Sequence, residues 1–245
     1  MLPSPRDLFR TTIELYRKEF WLFLGYAAWL LVPLAAFYFA EELPLNPVTT
    51  ILIITTIILQ LFVWLWLSVC LMKATVQIRA QKPVDQSSLS TLSLRRIQPL
   101  LCVLFLQGLI VLGGFLLLVI PSVIFWVWYS MAQVAVALDD KRPVEALAFS
   151  RSLVTGRFFA VLWRLLAGPV VIGLLYALTS GAILITLGAA FDIEPSLIFS
   201  ETPPLWAKLI QSIIDIFFTP MFVIYSVLLY QDLKAHPVEK ATPLA

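Results

Sequence analysis

The chain has 245 residues, 60% of them hydrophobic and only 13% charged, with a formal net charge of +2 and a mean hydropathy of +0.93. Soluble domains run about 45–50% apolar and about 25% charged, so this chain has too little polar residue to cover a water-facing surface, and lipid must be its outer solvent. Cys70 and Cys102 both lie in apolar runs, which argues against a disulfide framework and leaves no metal-ligand spacing, while the single histidine, His236, stands in the polar tail without the partners that acid–base catalysis needs.

The first 19 residues carry Arg6, Asp7, Arg10, Glu14, Arg17, Lys18 and Glu19, a pattern unlike a cleavable signal. They predict a short amphipathic helix over 5–18, with Ser4 as N-cap and Pro5 at the first helical position. A bilayer core of about 30 Å needs about 20 helical residues. Spans are therefore predicted at 20–40 and 48–72. The second is rich in Ile, Thr and Leu, but in lipid the backbone must satisfy itself and a helix is the outcome. A second, weaker amphipathic segment covers 88–97, followed by spans at 99–120 and 122–138. As one helix, 99–138 would be about 60 Å long, twice the bilayer core, so a hairpin is expected, turning near Pro121–Ser122 with Gly108, Gly113 and Gly114 letting its arms approach. A third amphipathic segment covers 143–154, and the last spans fall within 158–191 and at 205–230. The expected fold is all-α: a polytopic six-helix transmembrane bundle, in one domain, with short interfacial amphipathic "elbow" helices.

Basic residues cluster on alternate connections. The N-terminal segment, the stretch holding Lys73, Arg79, Lys82, Arg95 and Arg96, the stretch holding Lys141, Arg142, Arg151 and Arg157, and the tail with Lys234 and Lys240 all fall on one side. Glu41, Glu42, Asp192, Glu194 and Glu201 fall on the other, with Lys208 at the start of the sixth span. The positive-inside rule then places both termini in the cytoplasm. Trp21, Trp64, Trp66, Trp126, Trp128 and Trp206 read as an interfacial aromatic belt rather than a binding cage.

Two of the elbows share a plan. Leu8, Phe9, Thr12, Ile13 and Tyr16 line one face of the first; Leu147, Ser150, Val154 and Phe158 follow helical spacing in the third. Both run into a basic-aromatic junction, Lys18–Glu19–Phe20–Trp21 and Gly156–Arg157–Phe158–Phe159. Either the chain is three units of elbow plus hairpin, or helices entering a membrane simply look alike. On either reading Arg10, Arg17, Lys18, Arg95, Arg96, Arg151 and Arg157 are candidate contacts to anionic headgroups at the cytoplasmic face.

From Pro121–Ser122 through Asp139–Asp140–Lys141–Arg142–Pro143, Val144–Glu145–Ala146–Leu147 and Ser150–Arg151–Ser152–Leu153–Val154–Thr155–Gly156–Arg157–Phe158–Phe159, and again at Leu228–Leu229–Tyr230–Gln231–Asp232–Leu233, the chain resembles a bacterial family. That family is the glycerophosphoryl diester phosphodiesterase membrane-domain-like proteins, with related six-span proteins of unknown function. Ser122 departs from the glycine usual there. The sequence carries no soluble phosphodiesterase domain, so the resemblance implies a bacterial inner-membrane module and not an activity.

Ionisable residues at membrane depth are expensive and are functional candidates by default. Asp215 lies about 15 Å into the sixth span by helical rise. Lys208, Gln211, Asp215, Thr219 and Phe222 share a face, and Arg164 in the fifth span could snorkel to water or reach Asp215. Pro169 and Pro220 free the carbonyls of Leu165 and Ile216, suggesting broken helices at mid-depth, where transporters place their sites. Asp215, Gln211, Thr219 and Arg164 are thus candidate ligand or ion contacts; alternatively Asp215 satisfies the freed carbonyls and joins two helices. Gln60, Gln107 and Gln133 are expected to bond between helices. No paired-His motif, paired intramembrane aspartates or Ser–His arrangement points to an enzyme, a metal or a cofactor, and the short basic clusters do not suggest nucleic acid. The leading expectation is a non-enzymatic lipid-interacting or membrane-assembly module; the alternative is a small transporter or channel using the polar stripe of spans 5 and 6.

Overall fold

Lipid offers the backbone no hydrogen-bond partner, so each apolar run closes on itself as a helix. The computed structural model describes residues 3–198, 200 and 203–237; Glu201 and Lys240 lie outside the described residues. The helices are α1 (Pro5–Lys18), α2 (Phe20–Ala28), α3 (Leu31–Glu41), α4 (Pro47–Arg79), α5 (Gln86–Leu94), α6 (Ile97–Leu117), α7 (Val119–Tyr129), α8 (Ala132–Asp139), α9 (Pro143–Val154), α10 (Phe158–Ala190), α11 (Pro195–Ile198) and α12 (Leu205–Ala235). Among the described residues, six stretches are long and apolar enough to cross a membrane: Phe20–Glu41, Pro47–Arg79, Ile97–Leu117, Val119–Asp139, Phe158–Ala190 and Leu205–Ala235. The chain is an all-α, multi-pass bundle with three short helices at the expected elbow positions.

Several details depart from the sequence expectation. The first span is interrupted at Trp29–Leu30, one turn before Pro33, whose ring and missing N–H disrupt the bond to Trp29. The hairpin between the third and fourth spans turns at Leu118, in extended backbone (φ −172°, ψ 158°), not at Pro121–Ser122; Pro121 instead sits in the first turn of α7, where it removes no helical bond. Of the three glycines named for close approach, only Gly114 makes one. A Cβ there would stand 2.8 Å from the Phe125 ring and 3.0 Å from the Ser122 backbone, whereas Gly108 and Gly113 face open space. Lower in the hairpin, Gln133 donates to Gln107 at 3.1 Å. Finally, Pro169 and Pro220 lie inside continuous helices of 33 and 31 residues, so the last two spans are not discontinuous.

The three elbows share one register. Counting from the N-caps Ser4, Asp85 and Arg142, the residues four and eight places on are buried in all three: Leu8 and Thr12, Leu89 and Ser93, Ala146 and Ser150. The second of each pair is a hydroxyl residue at 0% exposure. Elbow-to-span junctions also match. Glu19 and Arg157 hold similar backbone angles (φ −123°, ψ 39° and φ −141°, ψ 31°), and each is followed by a half-buried Phe and then an aromatic at 81% exposure, Trp21 or Phe159.

Packing between these units is cyclic. α5 packs on α4; α9 packs on α6, α7 and α8; α1 packs chiefly on α12 and α10. Each elbow thus rests on the hairpin before it, and the first rests on the last. The same rule relates the spans: besides its own hairpin partner, α2 lies against α12, α6 against α4, and α10 against α7. The elbow-side halves of α4 and α12, with α8, meet in the middle and form the core, from Leu67, Leu71 and Ala74 through Val134 and Ala137 to Ile224, Leu228 and Tyr230. α12 is the central helix, with 56% of its apolar window buried against 17–33% for the other spans. The remaining faces, such as Ile51, Ile58 and Leu116, are exposed hydrophobics that only lipid can cover.

Candidate functional site

The mid-depth polar groups form a closed junction between α10 and α12. Gln211 Nε2 donates to the Tyr176 hydroxyl, and the Asp215 carboxylate lies close to the same hydroxyl. Thr219 turns back on its own helix, donating to the Asp215 carbonyl at 2.7 Å. Lys208 leaves the stripe and pairs with Glu41 at 2.9 Å, over the Tyr38 ring. Arg164 faces the elbow end, its guanidinium donating to the carbonyls of Pro3 (2.9 Å) and Ala160 (2.7 Å). The structure brings Asp215, Gln211 and Thr219 together and places Arg164 elsewhere.

Beside Pro169 stands a group that sequence reasoning missed. Tyr225 is buried against Gly168, where any Cβ would enter its ring. Its hydroxyl donates to the Arg164 carbonyl at 2.7 Å and lies close to the Gly168 backbone. The phenol thereby serves the carbonyl next to that of Leu165, which Pro169 frees. Tyr225, not Asp215, tends the helix beside the proline.

The basic residues at the elbow end fall into two groups. Arg10, Arg17, Lys18, Arg95 and Arg151 are exposed; Arg10 pairs with Glu14 at 2.9 Å and Arg151 lies over the Trp128 ring at 4.5 Å. The others are engaged within the fold. Arg96 pairs with Asp140. Arg157 donates to the carbonyls of Leu153 and Leu233 at 2.7 Å each and to that of His236, so it caps the ends of α9 and α12 together.

At the elbow end, the ends of α4, α8 and α12 line an open chamber of about 530 Å³. Val76, Leu138 and Tyr230 contribute apolar surface, and Lys73, Gln77, Asp139, Gln231 and Lys234 supply polar groups. Tyr230 and Lys234 both donate to Asp139 Oδ2 at 2.7 Å. Arg79 bonds Gln231 at 2.8 Å and Asp232 at 3.2 Å, tying α4 to α12. Lys73 has one long bond, 3.4 Å to the Leu92 carbonyl at the end of α5. Gln77 Oε1 is buried without a hydrogen-bond partner among the described residues. Each inner helix of the threefold plan thus contributes polar groups to one chamber. The sequence held a signal for it, since Lys73 and Gln77, and Tyr230 and Lys234, are spaced by four and share helix faces.

Residues 87–233 match the family described as a domain of unknown function, DUF7847. The chain belongs to this family. The DUF7847 match runs from α5 into α12, covering the second and third elbow–hairpin units, and includes Asp139 and Tyr230 of the chamber but not Lys73 or Gln77. It brings no link to the glycerophosphoryl diester phosphodiesterase membrane-domain-like proteins. Comparison with curated proteins and with solved structures returned no match.

Proposed function

We propose that this DUF7847 protein is a non-enzymatic, lipid-interacting module of a bacterial inner membrane, with both termini cytoplasmic. The observation that carries the reading is the elbow end itself: three short helices in one register around the central helix, with Arg10, Arg17, Lys18, Arg95 and Arg151 exposed among them. Basic side chains around the mouth of a bundle attract anionic headgroups, each worth about 1 kcal/mol near the membrane surface. The exposed aromatics Trp21 and Phe159, directly after two of the elbows, suit the boundary between headgroup and acyl chain. The same charge asymmetry supports the cytoplasmic orientation.

The test is lipid analysis of protein extracted directly into native-lipid discs. Wild type should carry anionic lipid above the bulk membrane level. A variant with those five basic residues changed to Gln should fall to the bulk level while keeping its thermal unfolding. Equal lipid composition in the two samples would overturn the reading.

The alternative, a small transporter or channel, draws on the half-buried Asp215 in the α10–α12 junction. It requires that Asp215→Asn fold normally and abolish a proton- or ion-coupled flux in proteoliposomes. If Asp215 instead joins two helices, folding and any activity will fall together.

A further inference from the structure

We propose that the chamber at the centre of the elbow end binds a phosphate ester whose alcohol part carries a hydrogen-bond donor, an amine or a hydroxyl. This deepens the lipid-interacting reading and rests on it. Three features of the chamber define the ligand.

The first is charge. Of the cations lining the chamber, Lys234 is held by Asp139 at 2.7 Å, whereas Lys73 has only the 3.4 Å bond to a backbone carbonyl. Arg96 and Asp140 already neutralise each other. With Lys234 and Asp139 cancelling, the lining carries the charge of Lys73, which one phosphodiester would match. An ammonium keeps donors to spare for phosphate oxygens.

The second is the buried Gln77 Oε1. It lies one helical turn from Lys73, in the same lining, with no donor to satisfy it. A buried carbonyl without a partner is expensive, and such groups persist where a ligand completes them. An acceptor beside a cation selects a ligand that presents an anion and a donor close together. A bare anion would satisfy Lys73 and leave Gln77 as it is.

The third is place. The chamber lies among the elbows, at the end where Arg79 and Lys234 reach polar partners, and beside apolar span surface. A lipid headgroup could enter with its chains left along the spans; a free phosphate ester could enter from water. Both present the same chemistry, and the experiment separates them.

The experiment is native mass spectrometry of the full chain in detergent. It is titrated in one arm with phosphatidylethanolamine and phosphatidylglycerol, in the other with soluble phosphoethanolamine, and with inorganic phosphate as the bare-anion control. Wild type should retain one phosphate ester in preference to inorganic phosphate; the arm in which this occurs names the source. Lys73→Gln should weaken that binding by about tenfold or more, the effect of losing a charge-assisted bond. Gln77→Leu should also weaken it, yet leave the empty protein equally or more resistant to heat, because it removes an unsatisfied buried group. A merely structural glutamine would not separate binding from stability in this way.

No retention in either arm, or equal retention by wild type and Lys73→Gln, would overturn the proposal. The failure is distinguishable from failure of the wider reading, because bulk anionic enrichment in native-lipid discs depends on the exposed elbow residues and should survive Lys73→Gln.

Discussion

Gly168 and Tyr225 pack closely beside a local conflict. A proline in a membrane helix weakens the ladder beside it, and the freed groups need partners that lipid cannot supply. Glycine at 168 makes room for a phenol, which donates to the Arg164 carbonyl, next to the one that Pro169 frees. Gly168→Ala should therefore cost about 1–3 kcal/mol, the usual price of overpacking, measured by thermal or denaturant unfolding in detergent. An alanine at Gly173, which faces open space, is the matched control and should be neutral or mildly stabilising. Asp85, the cap of α5, offers a pH test. The Ser88 hydroxyl donates to it at 2.5 Å, and with the Ser87 and Ser88 amides holds its carboxyl below the ordinary value of 3.8. A lowered folded pKa means the cap's contribution is present above the unfolded value and is lost as pH falls through the folded one. Hydrogen exchange across α5 should accelerate as pH drops below about 4, after correction for intrinsic rates, and Asp85→Asn should flatten that dependence.

Among the elements, α9 has the most to hold together. Ser150 accepts from the Met131 amide at 3.1 Å and donates to the Trp128 carbonyl at 2.7 Å, spanning the break between α7 and α8. Ser150→Ala would leave both backbone groups without that partner and should destabilise by about 1–3 kcal/mol. Ser152→Ala, on the exposed face of the same helix, should change stability by less than about 0.5 kcal/mol. This break was not legible in the sequence, because no proline or glycine marks it; a side chain from another element creates it. The six spans were legible, since length and apolarity alone dictate helices in lipid. The elbows were legible from caps and amphipathic spacing, although the second starts two residues earlier than its pattern suggested, because Asp85 caps it. On the polar stripe of α12, the sequence left open whether Arg164 snorkels to water or reaches Asp215; Arg164 faces the elbow end, and Tyr176, about 18 Å further along α10, meets the stripe instead. The inner chamber went unread because its members come from three helices far apart in the chain.

At the scale of the whole molecule, the architecture is three elbow–hairpin units closed into a ring, each elbow resting on the unit before it. Such closure leaves one end lined by elbows and basic residues and gives the three inner helices a common chamber. The lipid-interacting account requires those elbows to be equivalent and to lie at headgroup depth. Arg10, Thr91 and Ala148 each stand six residues after an elbow's N-cap, and all three are exposed. The decisive measurement is the depth of a spin label at each of these positions, in protein lacking Cys70 and Cys102, reconstituted in vesicles and read by accessibility to oxygen against a water-soluble relaxant. The account predicts one shared depth for all three, within the headgroup layer. Labels at clearly different depths, or all three in bulk water, would contradict it.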